Sequence, residues 1–366
     1  MQKYKSRSIL LITLVIFLCI FGMVMIYSAS SYSSAELYSD SMHFVKKQIL
    51  GFLLGLAVLI FTANFDYHKY YKYRWYIVGI SLILLTLVFV PGIGVTANGA
   101  RRWIGIAGLN LQSSEVAKFG FVIFSACYLS KNYEKTKTFR GILPILVVGG
   151  SICLLVILEP NMSITMCIGL VMILVLIVGG LTAKHFIILS IPAILLAIGL
   201  ILIEPYRFAR LIAFINPWAN PKEEGYQLIQ SLYSLGAGGL FGVGLFNSRQ
   251  KYLFLPFAES DFIFAIIGEE LGLVGAILVI SIYITIIALG IKISLNAKDR
   301  LGTYLSFGIT SVIAVQLLIN IAVVTGSIPP TGLPLPFISA GSTSLVVFMS
   351  AIGVVLNINK QSKSRV

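Results

Sequence analysis

The chain has 366 residues, of which 58% are hydrophobic and 11% charged. Its mean hydropathy is +0.95. Soluble domains carry about 25% charged residues, so the composition excludes a soluble globular protein and demands that most of the surface face lipid. The formal net charge of +13 would suit a nucleic-acid binder, but the way the charges are distributed removes that reading too.

Apolar residues fall in long blocks, as spanning helices require. In chain order the blocks are Ile9–Tyr27, Ile49–Ala63, Trp75–Val90, Val116–Leu129, Ile142–Leu158, Met162–Gly180, Phe186–Ile203, Phe262–Leu289, Tyr304–Val324 and a last one ending near Leu356. Several fall short of the roughly 20 residues a span needs, so their ends must run into flanking polar residues. The first block precedes Ser28-Ala29-Ser30, a sequence that resembles a signal-peptide cleavage site. Its apolar core is longer than such a peptide uses, so it reads as a retained span. The expected fold is an all-α integral membrane domain over residues 1–366, with about ten transmembrane helices and a large extracytoplasmic loop, 204–260, before the eighth.

With the N-terminus inside, the cytoplasmic segments hold Lys3 to Arg7, Lys69 to Arg74, Lys131 to Arg140, Lys184, Lys292 to Arg300 and the C-terminal Lys360, Lys363 and Arg365. These account for 17 of the 27 basic residues, all in short loops or tails where the positive-inside rule applies. Both termini are therefore expected in the cytoplasm, and the charge needs no nucleic acid to explain it. Of the 14 acids, only Asp66, Glu134 and Asp299 fall on that side. Cys19, Cys127, Cys153 and Cys167 lie inside spans without paired spacing and read as small buried apolar residues. His43, His68 and His185 are scattered and form no metal motif.

The outer segments keep basic residues that oppose the topology signal, among them Arg101, Arg102, Arg207, Arg210 and Lys251. A site for an anionic ligand would retain them; solvated loop charge explains about half of them equally well. The loop from Glu204 to Ser260 is far longer than ordinary connections, which marks it as functional or structured. Within it, Tyr206 to Ile212 has an amphipathic pattern with Arg207 and Arg210 at i, i+3, suited to the headgroup layer with the arginines toward phosphate. Gly236 to Gly244 contains five glycines, which permit either close backbone approach or simple flexible turns.

Ionisable residues at membrane depth mark functional sites by default. Glu115 and Lys118 meet on one helix face at i, i+3, as a site or as a structural ion pair with even odds. Glu269 and Glu270 sit two turns into the eighth block. Gln316 and Asn320, at i, i+4 in the ninth, suit interhelical hydrogen bonds. Asp261 opens the eighth block. Capping frequencies favour a helix N-cap there about two to one; the competing reading is a carboxylate at the membrane–water boundary, able to act as general base on a lipid-linked substrate.

Taken together, the motifs resemble the SEDS family of shape, elongation, division and sporulation proteins, which includes FtsW, RodA and SpoVE. The resemblance is carried by Tyr27-Ser28-Ala29-Ser30-Ser31, Arg102-Trp103-Ile104, Gln112-Ser113-Ser114-Glu115 with Lys118, Glu159-Pro160, and Gly225-Tyr226-Gln227 leading to Gln230-Ser231. It continues through Asn247 to Lys251, Asp261-Phe262-Ile263-Phe264 with Glu269-Glu270-Leu271-Gly272, and Leu335 to Ser339. Asn216-Pro217-Trp218 and the Ser231 to Lys251 run look more like the FtsW and SpoVE branch than RodA. The chain departs from the family pattern at Asn161, Phe246, Phe257, Ala340 and Ser342.

The resemblance implies a ten-span bundle that polymerises the lipid-linked disaccharide precursor lipid II into glycan strands at the outer face of a bacterial cytoplasmic membrane, in division or sporulation. It also implies a class B penicillin-binding transpeptidase as partner. Asp261 is then the expected catalytic base. Arg102, Trp103, Gln112, Glu115, Lys118, Arg207, Arg210, Gln227, Lys251 and Ser339 are the expected substrate-binding residues. Carboxylates beside a diphosphate are also able to hold Mg²⁺ or Mn²⁺, a point the sequence leaves open. Two other readings compete: a flippase that moves lipid II without bond chemistry, and a scaffold that recruits wall enzymes. The gathering of acids on the outer side favours chemistry, because a path across the membrane needs polar groups at all depths.

Overall fold

The computed structural model describes residues 2–97, 100–106, 109–203 and 205–362. Among these residues twelve α-helices run in chain order: α1 (Gln2–Tyr38), α2 (His43–Asn64), α3 (Tyr70–Leu87), α4 (Ser113–Asn132), α5 (Phe139–Leu158), α6 (Met162–Val178), α7 (Ala183–Ile203), α8 (Pro205–Ile215), α9 (Tyr226–Gly238), α10 (Ile263–Leu295), α11 (Arg300–Val324) and α12 (Ser342–Gln361). Six of these, α1, α2, α5, α10, α11 and α12, are long and apolar enough to cross a membrane. The other four predicted blocks fall on α3, α4, α6 and α7, so each block corresponds to a helix. α1 is much longer than its block because Ser28 to Tyr38 stay helical.

The remaining helices, α8 and α9, occupy the long loop, which is thus structured in its first half. From Gly239 to Phe262 the chain has no regular helix or strand.

One element departs from a purely helical reading. Between α3 and α4, β1 (Gly94–Ala97), β2 (Ala100–Ile106) and β3 (Leu109–Gln112) form an antiparallel sheet in that order. Apolar and polar residues alternate in Leu109-Asn110-Leu111-Gln112, the period of a half-exposed strand. The segment is too short to stand out against its hydrophobic neighbours.

Small residues bring the helices together where lipid offers no hydrophobic driving force. Gly51 and Gly55 of α2 lie against Ser342 and Met349 of α12; a Cβ on Gly51 would sit 2.7 Å from the Ser342 Cα. Gly353 of α12 returns the contact, its added Cβ only 2.5 Å from the Leu59 carbonyl. Thr62 Oγ1 then bonds the Ser350 carbonyl at 2.9 Å. α4 and α11 are buried on nearly all sides and form the centre of the bundle.

At one end of the bundle, the α2–α3 turn, the α10–α11 turn and the end of α12 are tied together. Tyr67 Oη donates to Asp299 at 2.9 Å, His68 bridges Asp66 and Asp299, and Gln361 donates to Asp66. The sheet, the Gly239–Phe262 segment and the α11–α12 connection collect at the other end.

Candidate active site

Asp261 sits just before α10, at the end of the irregular segment. Phe262, not Asp261, is the N-cap of that helix, and no side chain makes the cap bond. The capping role favoured by frequency is therefore not what the fold uses. The carboxylate is half-buried, and its Oδ2 lies 3.0 Å from where a Cβ on Gly332 would stand. Any larger residue at 332 would press on the acid.

The backbone around Asp261 is fixed from three directions. Asn320 Nδ2, from α11, donates to the Asp261 carbonyl at 2.9 Å and to the Leu333 carbonyl at 2.8 Å. Ser339 Oγ donates to the Ser260 carbonyl at 2.5 Å and accepts from the Leu335 amide at 2.8 Å. Ala340 N donates to the Glu259 carbonyl at 2.9 Å. Gln48 of α2 bonds both the Ser339 carbonyl and the Gly341 amide. Asp261 thus stands on a loop locked to the α11–α12 connection rather than swinging free.

Two arginines act on the same carboxylate. Arg102, on β2, donates to the Glu159 carbonyl at 3.3 Å and to the Pro160 carbonyl at 2.5 Å. Arg210, on α8, donates to the Pro330 carbonyl at 3.1 Å. Burial pushes the Asp261 carboxyl up to about 7, with the neighbouring Glu259 adding to the rise; Arg102 and Arg210 pull against it. Glu259 is itself raised by burial. Glu159, at the α5–α6 turn, is raised to about 8 by burial, partly offset by its hydrogen bond from Ser113 and by Arg102. The result is a carboxyl poised near neutrality beside two permanent cations.

The other predicted residues separate into groups. Trp103 and Gln112 face each other across the β2–β3 ladder and are half-buried, which places them on the same sheet as Arg102. Gln227 is half-buried at the start of α9. The side chain of Arg207 lies outside the described residues; its backbone belongs to α8.

Glu115 and Lys118 are fully buried and paired at 2.8 Å. Lys118 also donates to Gln316 Oε1 at 2.5 Å, Glu115 accepts from Ser344, and Gln316 Nε2 reaches the Pro334 carbonyl at 2.8 Å. This chain of bonds runs from α4 through α11 to the connection that fixes Asp261. Lys251 is buried, donates to the Phe246 carbonyl, and lies 3.8 Å from Glu270.

Glu269 and Glu270 close a second clasp. Ser248 Oγ donates to Glu269 at 2.5 Å, as does the Arg249 amide at 2.8 Å, while Ser28 Oγ of α1 donates to Glu270 at 2.5 Å. The glycine run takes its close-approach role here: a Cβ on Gly238 would sit 2.0 Å from the Gly268 carbonyl and one on Gly242 2.1 Å from the Glu270 carbonyl. Opposite them α10 breaks at Gly272, whose φ of 67° favours glycine. Phe246 and Phe257, two of the family departures, also hold positive φ, at 66° and 57°, a conformation that costs a bulky residue energy.

Sequence reasoning missed Gln48 and Ser163, whose Oγ accepts from the Gly332 amide at 3.2 Å. Gln48 follows Lys46-Lys47 at the polar edge of the Ile49–Ala63 block, where a polar residue is ordinary, so neither it nor Ser163 offers a signal. Among the described residues no group of three or more His, Cys, Asp or Glu comes together in a way that could hold a metal ion.

Comparison with known proteins agrees with this architecture. The family model for cell cycle proteins of the FtsW, RodA and SpoVE type matches residues 8–364. Stage V sporulation protein E of Bacillus subtilis is 39% identical, covering 99% of each chain. A probable peptidoglycan glycosyltransferase FtsW of Geobacter sulfurreducens is 37% identical over 99% of this chain and 97% of its own. Among solved structures, a chain from a study of how a peptidoglycan synthase complex coordinates polymerization and crosslinking superposes with a TM-score of 0.79 at 24% identity, covering 96% of this chain and 97% of the other. The rod shape determining protein RodA of Thermus thermophilus gives 0.68 at 24%, covering 96% of each. The chain belongs to the FtsW/RodA/SpoVE (SEDS) family of multi-pass membrane proteins.

Proposed function

We propose that this protein is a peptidoglycan glycosyltransferase that polymerises lipid II at the outer face of a bacterial cytoplasmic membrane, in division or sporulation. The family relatives support the reaction class. The observation that carries the site assignment is Asp261, a half-exposed carboxyl that burial pushes up to about 7, on a locked loop within the electrostatic reach of Arg102 and Arg210.

A sugar hydroxyl is a poor nucleophile at neutral pH. A base whose pKa lies near the working pH takes its proton most effectively as the new bond forms. Asp261 accepts the proton of the acceptor 4-hydroxyl while that oxygen attacks the anomeric carbon of the donor, and the undecaprenyl diphosphate leaves. Arg102 and Arg210 stabilise the developing negative charge on that diphosphate. Trp103 and Gln112, on the sheet that carries Arg102, and Gln227, at the start of α9, are assigned to substrate binding. Glu115, Lys118, Lys251 and Ser339 act behind the site, positioning the loops that carry Asp261. A class B penicillin-binding transpeptidase is the partner this reading expects, to crosslink the strands.

The test is polymer formation from purified lipid II in detergent, where flipping has no meaning. Wild-type protein with its transpeptidase should make glycan strands and Asp261→Asn should not; equal polymer from both would move the base elsewhere. The membrane orientation is tested separately by cysteine-accessibility labelling in cells. Both termini and the Lys131–Arg140 loop should resist an impermeant reagent, and the 204–260 loop should react. Strong labelling of the Lys131–Arg140 loop would invert the topology.

A further inference from the structure

A second gathering of charge lies at the bundle end opposite Asp261, and the proposed chemistry does not use it. Residues 65–76 read Phe-Asp-Tyr-His-Lys-Tyr-Tyr-Lys-Tyr-Arg-Trp-Tyr, with cations and aromatics interleaved where α2 gives way to α3. In the structure the Tyr71 ring receives two cations: Arg74 Cζ lies 4.2 Å from its centroid, and Lys131 Nζ, from the end of α4, lies 4.0 Å away. Arg74 is held in place by donating to the Tyr71 carbonyl at 2.5 Å. Lys69 and Lys72 flank them, 5.4 Å from the Phe65 ring and 5.9 Å from the Tyr73 ring.

Like charges converging on one ring repel, and an aromatic face attracts a cation without neutralising it. Carboxylates would normally answer them, but the nearby acids are committed elsewhere. Asp66 is bonded to His68 and Gln361, and Glu134 to Lys137. Among the described residues no carboxylate forms an ion pair with Lys69, Lys72, Arg74 or Lys131. A charge placed only to set topology needs to be on this side of the membrane; it does not need to converge on a neighbour from another helix.

We propose that Arg74 and Lys131, closing over Tyr71, form a binding site for the phosphate of an anionic phospholipid, with Lys69 and Lys72 at its rim. Phosphate is the anion that such a cluster of guanidinium and ammonium donors recognises. The surroundings select a lipid phosphate over a free one. Trp75 and Leu82, at i+4 and i+11 from Tyr71 on the same flank of α3, are exposed and half-buried, and Trp75 packs on Phe124 of α4 with ring centroids 4.9 Å apart, so an apolar stripe leads from the cluster along the flank of a membrane helix. Tyr73, just before Arg74, is exposed as well, as aromatic residues at headgroup depth commonly are. A bound lipid would lay its acyl chains along that stripe and leave its headgroup between α3 and α4.

Native mass spectrometry of the full chain, released from micelles holding equal phosphatidylglycerol and phosphatidylcholine, tests this. Wild-type protein should retain phosphatidylglycerol in preference to phosphatidylcholine. Arg74→Gln with Lys131→Gln should lower that retention roughly ten-fold or more, each basic residue near an anionic headgroup contributing about 1 kcal/mol. Lys292→Gln with Lys298→Gln, which removes the same charge from the α10–α11 region at the same end, should leave it unchanged. Lys131→Gln alone, at an exposed position, reads the effect if the double variant does not fold. Equal loss in both double variants, equal retention of the two lipids, or displacement of the lipid by millimolar inorganic phosphate would each overturn the proposal.

Discussion

Ionisable side chains meet in two kinds of neighbourhood at the Asp261 end of this bundle, and the contrast bears on how a candidate site differs from a fastening. Around Glu115–Lys118 and Glu269–Glu270 the groups are fully buried and bonded to one another, to serines and to backbone. Around Asp261 the carboxyl is half-exposed, caps nothing, and is acted on by the charges of Arg102 and Arg210. A buried ion pair such as Glu115–Lys118, with both carboxylate oxygens bonded to Lys118 and Ser344, has little capacity left for a substrate. A half-exposed carboxyl positioned through its backbone has more. Charge at membrane depth is therefore a poor guide by itself; the state of its partners decides.

The contrast is sharpest in two substitutions. Asp261→Asn keeps size and leaves every backbone bond described around it intact, so stability should be retained while polymerisation falls by about 10²–10⁴, the usual loss for a general base. Lys118→Met should do the reverse in kind. Removing one partner of a buried pair strands the other charge, at about 3–5 kcal/mol, and thermal unfolding in detergent should show a large drop in midpoint. Activity measured on the surviving folded fraction would fall less steeply than for Asp261→Asn. Lys118→Met with native stability and abolished turnover would break the comparison, by placing Lys118 in the chemistry.

How much of this was legible in the sequence follows the same line. Hydropathy located the spanning helices because lipid enforces one rule along the whole length of a helix, that backbone be satisfied internally and side chains be apolar. The amphipathic helix at Arg210 was legible for the same reason. The sheet was not, because Val95 to Gln112 carries strand alternation over segments too short to compete with helical periodicity beside them. The residues of the candidate site were legible as motifs, but their contacts were not. Lys251 and Ser339 sit in recognisable motifs yet turn inward, and whether a side chain at a loop faces out or in depends on contacts hundreds of residues distant, such as Gln48 with Ser339 and Gly341. Asp261 was weighed as an N-cap because frequency counts position along the chain; the fold begins the helix one residue later than that weighing assumed.

A smaller effect separates the arginines from the clasps. Arg102→Gln and Arg210→Gln each remove a charge from the front of the site and one or two hydrogen bonds to backbone carbonyls. Charge-assisted bonds contribute about 1.5–3 kcal/mol, so each variant should lose roughly 10–100-fold in kcat/KM while remaining folded. The loss should grow weaker as the leaving group is made less anionic. An equal loss whatever the leaving group would assign these residues to holding the β2 and α8 segments rather than to meeting the diphosphate.

The smallest predicted effect is also the most specific to Asp261. A base must be ionised to accept a proton, so with its carboxyl near 7 the rate should fall as pH drops through that value and level off above it. Glu259 contributes to the raised pKa because its own negative charge disfavours a second one nearby. Glu259→Gln removes that repulsion, and the acid limb of the rate profile should move to lower pH while the plateau stays at the wild-type level. Arg102→Gln and Arg210→Gln withdraw attraction instead, so their limbs should move to higher pH on top of the lower plateau. Opposite displacements from neighbours of opposite charge are what a titrating Asp261 requires. A group elsewhere, Glu159 with its carboxyl near 8 being the nearest alternative, would leave the limb unmoved by Glu259→Gln, and that result would separate the loop from the chemistry it is proposed to serve.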